Sequence, residues 1–167
     1  GTRLCTGLSI KNGNGTIGDA SRRVYVTGAR VSGALSGSAY NGGFGIMLFG
    51  KSQATVQYTT IDNYQTAGIL VAGNSTSTLA STIANQPKPT IQDCIIIGQN
   101  RNNASGYITS VLSVQGGRGI MKRTLIYQNY NTANYSAGAE RSSYGYGVYL
   151  SDARDWTVGS LTLKGDG

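Results

Sequence analysis

The feature that most constrains this chain is a phrase it writes more than once: a glycine-led apolar strand, a short polar turn, then two apolar residues five positions apart. Laid from Gly45, GIMLFGKSQATVQYTTIDNY matches GVYLSDARDWTVGSLTLKGD from Gly147. Ile46 falls on Val148, Leu48 on Leu150, Thr55 on Thr157, Val56 on Val158 and Ile61 on Leu163. The first half returns as GILVAG from Gly68, and the second half as Val26 to Val31, Ile91 to Ile96 and Ile120 to Leu125. Unit starts at 26, 56, 91, 120 and 158 fall within the spacing of about 20 to 50 residues that marks solenoids, in which each repeat buries its apolar face against its neighbours.

The residues that fill the repeat select the kind of solenoid. Runs of Val, Ile, Thr and Tyr bounded by Gly, Asn, Ser and Asp are strand and turn chemistry. Helical repeats need long stretches of Ala, Leu, Glu, Lys and Arg, and this chain has one Glu and five Lys. Two short strands per unit, always in the same order, place like strands in parallel on successive coils about 4.8 Å apart, with a right-handed crossover. The predicted fold is all-β: a right-handed parallel β-helix of about five coils, with long loops on one side. Its inward columns are predicted to hold Val26, Ile46, Leu48, Val56, Ile61, Ile69, Val71, Ile91, Ile96, Leu112, Ile120, Leu125, Val148, Leu150, Val158 and Leu163.

The recurring G-I-x-L-x-G, T-V and I-x-N pieces resemble the right-handed β-helices of the pectate-lyase-like superfamily, which includes polysaccharide lyases, polygalacturonase-type hydrolases, alginate epimerases and phage tailspikes. The resemblance covers residues 24 to 164 as an architecture. It implies a fold, a polysaccharide substrate class and an extracellular, cell-surface or virion setting, but no active site. The hydrolase motifs of that superfamily are not present: the chain has no His, no adjacent Asp pair and no Arg-x-Lys. The clustered Asp of the metal-dependent lyases are missing as well. Tailspikes, whose sites vary and in some cases lie between subunits, fit the composition better.

At 167 residues the chain reads as a single β-helix domain over 1–167, short for such a column and without evident caps at either end. The expectation is a segment of a longer protein, or one that packs against further copies as a homo-oligomer. No apolar run approaches 18 residues, so no membrane span is predicted. Cys5 and Cys94 leave two readings open, a single disulfide or two thiols, with Cys94 in QDCIII reading as a small buried hydrophobe. With no His and no cluster of Cys or carboxylates at metal spacing, neither a metal site nor a cofactor is predicted.

Fourteen Lys and Arg against seven acids give +7 in a chain poor in charge, a bias towards anionic partners. Nucleic acid is disfavoured because no reader motif or basic stripe with interleaved aromatics appears. Acidic polysaccharide is the favoured partner, with scattered cations serving only solubility as the plain alternative. Long connections at 32–44, 97–109 and 126–146 are predicted to project from one side, and their Tyr, Asn, Ser and Gly content suits recognition as well as it suits turns.

The turn SDARDW is the densest chemical cluster. Asp152 and Asp155 are the candidate catalytic pair, able to do acid and base work on a glycosidic bond if about 5 to 9 Å apart. Trp156, Arg154, Arg118, Lys122 and Tyr144 are the candidate substrate contacts, with an aromatic face for the sugar and cations for a uronate. Superposing Val158 on Ile120 sets Trp156 above Arg118 and Asp155 above Gly117. The structural alternative is that the aspartates cap backbone amides or pair with Arg154 while Trp156 covers the edge of the column. Three functions stand side by side: a polysaccharide-recognising β-helix of an extracellular or virion protein, such as a segment of a tailspike or depolymerase; a complete lyase or glycosidase; and a passive rod or adhesin.

Overall fold

The computed structural model describes residues 5–30, 43–74, 80–98, 107–127, 144–151, 155–159 and 161–163. The chain runs through short strands in repeated groups of three. The first circuit supplies β1 (Cys5–Lys11), β2 (Thr16–Ile17) and β3 (Val24–Val26), and the second β4 (Gly43–Phe49), β5 (Thr55–Gln57) and β6 (Thr59–Asp62). The third supplies β7 (Ala67–Ala72), a five-residue helix α1 (Ala80–Ala84), β8 (Thr90–Gln92) and β9 (Ile95–Ile97). The fourth supplies β10 (Tyr107–Val114), β11 (Gly119–Lys122) and β12 (Leu125–Tyr127), before β13 (Tyr144–Leu150), β14 (Trp156–Val158) and β15 (Leu161–Leu163). Like strands stack into three sheets, β1-β4-β7-β10-β13, β2-β5-β8-β11-β14-β15 and β3-β6-β9-β12, parallel throughout except for the β14–β15 pair. This all-β topology is consistent with a parallel β-helix. No helix among the described residues is long and apolar enough to cross a membrane.

The register aligns one apolar column per sheet. Leu8, Ile46, Ile69, Val111 and Val148 stack in the first sheet, Ile17, Val56, Ile91, Met121 and Val158 in the second, and Val26, Ile61, Ile96 and Ile126 in the third. All but the exposed end residue Leu8 belong to, or pack against, one core. The glycine that leads the apolar run in β4 and in β7 has a steric cause. A Cβ on Gly45 would lie 2.6 Å from both the Gly68 carbonyl oxygen and Ile61 Cγ2, and one on Gly68 would lie 2.7 Å from Ile96 Cγ2. The isoleucines of the third sheet thus occupy the room that the glycines leave. Ser110 stands in this row in β10, and its hydroxyl meets the buried Tyr64 phenol at 3.1 Å. Burial pushes that phenol's pKa up.

The corner between the second and third sheets is made by one residue in the left-handed region: Tyr58 (φ 44°), Asp93 (φ 53°) and Arg123 (φ 45°). The next residue then donates to the carbonyl two positions back, Thr59 to Gln57 at 2.8 Å, Cys94 to Gln92 at 3.1 Å and Thr124 to Lys122 at 3.1 Å. Cys94 is a free, buried thiol standing in for threonine.

This corner corrects the predicted register. The counterpart of Val56 in the first circuit is Ile17, not Val26, because the bend at 18–23, held by Asp19 and Arg22, is longer than its successors. Met121 and Ile126, not Ile120 and Leu125, enter the columns, and Leu125 is 57% exposed. Leu112 is buried on the opposite side of its sheet from Val111, beside Leu70. Leu163 does not continue to the third sheet: β15 turns back antiparallel on β14, pairing Leu163 with Trp156. The connections β3–β4, β9–β10 and β12–β13 all lead from the third sheet to the first, and most of the predicted long loops lie outside the described residues.

Candidate functional site

Trp156 begins β14 opposite Gly119 of β11, one position from the predicted superposition. It is 0% exposed. Glycine at 119 makes the space, since a Cβ there would come within 2.6 to 2.9 Å of three atoms of the indole ring. The indole N–H donates to Ser113 Oγ and to the Gly117 carbonyl, both at 3.0 Å. A ring enclosed on all sides offers no face to a sugar, so the proposed stacking role of Trp156 is corrected to that of a core residue closing the column.

The same shift brings Asp155 against Arg118, with Oδ2 and Nη2 3.5 Å apart. Arg118 also donates from Nη1 to the Ile83 carbonyl at 3.3 Å, and its backbone N–H donates to Pro87. It ties the β7–β8 connection to the last turn, and its charge is shared with Asp155 instead of standing open for a uronate. Lys122 ends β11 on the outer face, in a row with Gln57 and Gln92. The two amides of that row are joined, Gln92 to Gln57 at 2.8 Å and Gln57 to the Gly18 carbonyl at 3.1 Å. Asp152 and Arg154 lie outside the described residues, as does the side chain of Tyr144 at the start of β13. The predicted cluster is therefore gathered only in part, as the Arg118–Asp155 bracket over a buried Trp156.

A different face carries the exposed aromatics. Outward positions of the third sheet run Tyr25, Thr60, Ile95, Leu125 in one row and Asp62, Ile97, Tyr127 in the next. Tyr25 is 60% exposed and Tyr127 40%. The Tyr25 phenol donates to Asp62 Oδ2 at 2.7 Å, and this bond holds the phenol's pKa above its ordinary value. Asp62 is only 9% exposed, and its Oδ1 is buried without a hydrogen-bond partner.

Comparison with protein-family models, with curated proteins and with solved structures returns no match for this chain. The site must be read from its own geometry.

Beside the aromatic face runs a cationic edge. Arg22, Arg23, Lys122 and Arg123 all sit at the bends between the second and third sheets, two to five positions from Tyr25, Leu125 or Tyr127. Arg123 holds Asp93 bidentately at 2.6 and 2.8 Å. That pair, with Lys122 and Arg23 adding to it, keeps the Asp93 carboxyl below the ordinary aspartate range. Sequence reasoning missed Tyr25, Asp62 and Tyr127. The signal was present in VYV and LIY, where an aromatic alternates with an inward β-branched residue, but it becomes legible only once the inward frame is known.

Proposed function

We propose that this chain is a polysaccharide-recognising β-helix of an extracellular or virion protein, right-handed, of about five coils and of the pectate-lyase-like type, binding acidic glycan along the corner between its second and third sheets. The observation that carries the reading is the juxtaposition of a cationic edge, Arg22, Arg23 and Lys122, with the exposed Tyr25 and Tyr127. Cations select a polyanion and steer it, while tyrosine rings supply stacking area at low entropic cost. Arg22, Arg23 and Tyr25 stand on the first circuit and Lys122 and Tyr127 on the fourth, with Tyr58 and Asp93 at the corners between them, a separation of about 14 Å at the usual strand spacing that an extended polymer spans and a compact ligand does not. Asp152 and Asp155 remain the candidate catalytic pair and Arg154 a candidate substrate contact, with cleavage of the glycan as the secondary reading.

The test is binding to an array of acidic and neutral polysaccharides at several salt concentrations. Acidic glycans should bind and weaken with salt, and the triple change Arg22→Ala, Arg23→Ala, Lys122→Ala should reduce affinity about tenfold or more. Retained binding after Asp155→Asn with loss of product release would add the enzymatic reading. No binding to any glycan would replace the proposal with a passive rod.

A further inference from the structure

We propose that Asn14 is a site of spontaneous self-modification: its side-chain amide is lost to attack by the Gly15 backbone nitrogen, and the isoaspartate that results unfastens the first circuit from the second. The inference is independent of the glycan reading.

Residues 12–15 read Asn-Gly-Asn-Gly and join β1 to β2. A glycine after asparagine favours the reaction, because without a Cβ its backbone nitrogen can reach the side-chain carbonyl carbon. Gly15 N loses its proton and bonds to Asn14 Cγ, the Cγ–Nδ2 bond breaks, and the nitrogen leaves with that proton as ammonia. Water then opens the cyclic imide at either carbonyl, giving aspartate or isoaspartate. Water is the sole co-reactant, and nothing is oxidised or reduced.

The same dipeptide occurs twice in this turn, locked once and open once. Asn12 is held: its Oδ1 accepts the Lys51 N–H at 2.8 Å, its own N–H donates to the Phe49 carbonyl at 3.2 Å, and its φ is 58°. A Cβ on Gly13 would lie 2.8 Å from Ile10 Cγ2, so the backbone there has little room to turn. Asn14 and Gly15 are both exposed. No hydrogen bond among the described residues engages the Asn14 amide or the Gly15 N–H, and nothing lies within 4 Å of where a Gly15 Cβ would stand.

The carbonyls on either side of this point fasten the first circuit to the second. Gly13 O accepts the Gln53 N–H and Gly15 O the Thr55 N–H, both at 3.0 Å, and the Ser52 hydroxyl adds a bond to Gly13 O at 3.3 Å. Isoaspartate carries the main chain through its Cβ, lengthening the backbone by one carbon between the two acceptors. Their spacing then no longer matches that of Gln53 and Thr55. β1, β2 and β3 each end their sheet, so among the described strands the first circuit has only the second to hold it. The new carboxylate is ionised at neutral pH and also lowers the chain's net charge from +7.

The folded protein is incubated at mildly alkaline pH beside a urea-unfolded sample until the unfolded chain has converted at both 12 and 14. Peptide mapping by mass spectrometry with electron-transfer fragmentation then locates isoaspartate. In the folded protein it should accumulate at 14 about tenfold faster than at 12, or more. Gly15→Ala places its methyl in open space, so it should slow conversion about tenfold or more without lowering the urea midpoint. In the isoaspartate form, separated by ion exchange, hydrogen exchange at the Gln53 and Thr55 amides should quicken. It should stay at the parent rate in Asn14→Asp, which adds the charge without the extra carbon. No conversion at 14 in the fold, or equal rates at 12 and 14, overturns the site. Conversion of Gly15→Ala at the parent rate overturns attack by this nitrogen, and unchanged exchange at Gln53 and Thr55 in the isoaspartate form overturns the unfastening.

Discussion

Replacing Trp156 separates a wall from a binding surface. The ring is fully enclosed, its N–H has two acceptors, and the residue opposite it in the ladder is glycine. Trp156→Ala therefore opens a cavity that Gly119 has no side chain to fill, which places the cost in the range of about 3 to 5 kcal/mol for large-to-small changes at buried aromatics. Trp156→Phe keeps most of the apolar area but removes the donor from Ser113, itself fully buried, for a cost of about 1 to 3 kcal/mol. The two variants should thus differ by roughly 2 kcal/mol. Urea titration followed by far-ultraviolet circular dichroism reads both values. The unmodified protein supplies an independent check because Trp156 is its only tryptophan. Its emission should be blue-shifted, resist acrylamide quenching and stay unchanged on adding oligosaccharide. A Trp156→Ala variant losing less than about 1 kcal/mol, or an emission quenched by bound glycan, would refute the buried placement.

Other consequences follow from the columns and corners. Gly45→Ala pushes a methyl against the Gly68 carbonyl and Ile61, so overpacking of about 1 to 3 kcal/mol should outweigh the roughly 0.4 to 1 kcal/mol gained from a stiffer unfolded chain, read as a net loss in urea titration. Cys94→Thr should change stability by less than about 1 kcal/mol, because Thr59 and Thr124 already make the same bond in neighbouring coils. Burial raises the Cys94 thiol pKa, and its alkylation in the parent should await unfolding. Asp93, held below its ordinary pKa by Arg123, contributes stability above about pH 4 that is lost as pH falls through its folded value. Arg123→Ala should accordingly flatten the acid limb of the stability profile and leave its slope above pH ~6 unaltered.

Much of the stack was legible because alternation and spacing speak wherever a single apolar residue stands between polar neighbours. Val56, Ile61, Ile91 and Ile96 are of this kind, or are pinned by an adjacent turn, and all four are buried where the spacing put them. The frame became ambiguous where two apolar residues adjoin, as in Ile120-Met121, Leu125-Ile126 and Val111-Leu112. A shift of one residue exchanges the two faces of a strand, and composition alone does not break the tie. What breaks it is the left-handed residue at Arg123 and the Thr124 hydroxyl bonded to Lys122, which fix where the corner falls. The candidate site inherited that ambiguity. Once the frame moved by one, Trp156 left the surface for the core, Asp155 met Arg118, and Leu125 with Tyr127 came out into solvent. The hairpin that carries β15 back along β14 was hidden for another reason: WTVGSLTL reads equally as the next corner of the coil or as a two-stranded turn.

The three outer faces of the solenoid are chemically unlike, and the difference bears on where a ligand can bind. On the first sheet Leu70, Leu112 and Val114 are buried in a cluster of their own with Phe44 and Ala67, leaving little polar chemistry to address a sugar. On the second sheet the Gln57 and Gln92 amides bond to each other and to the Gly18 carbonyl, so a ligand there would have to displace bonds already made. The third sheet combines exposed rings, an apolar floor and an enclosed carboxylate oxygen with nothing to accept. Parallel stacking satisfies backbone groups by the same rule on every face. Buried polar side-chain atoms without a partner occur at Asp62 Oδ1, at Thr66 Oγ1 before β7 and at Arg118 Nε before β11, so what sets the third sheet apart is its exposed rings beside the cations at its corner and not an orphaned atom.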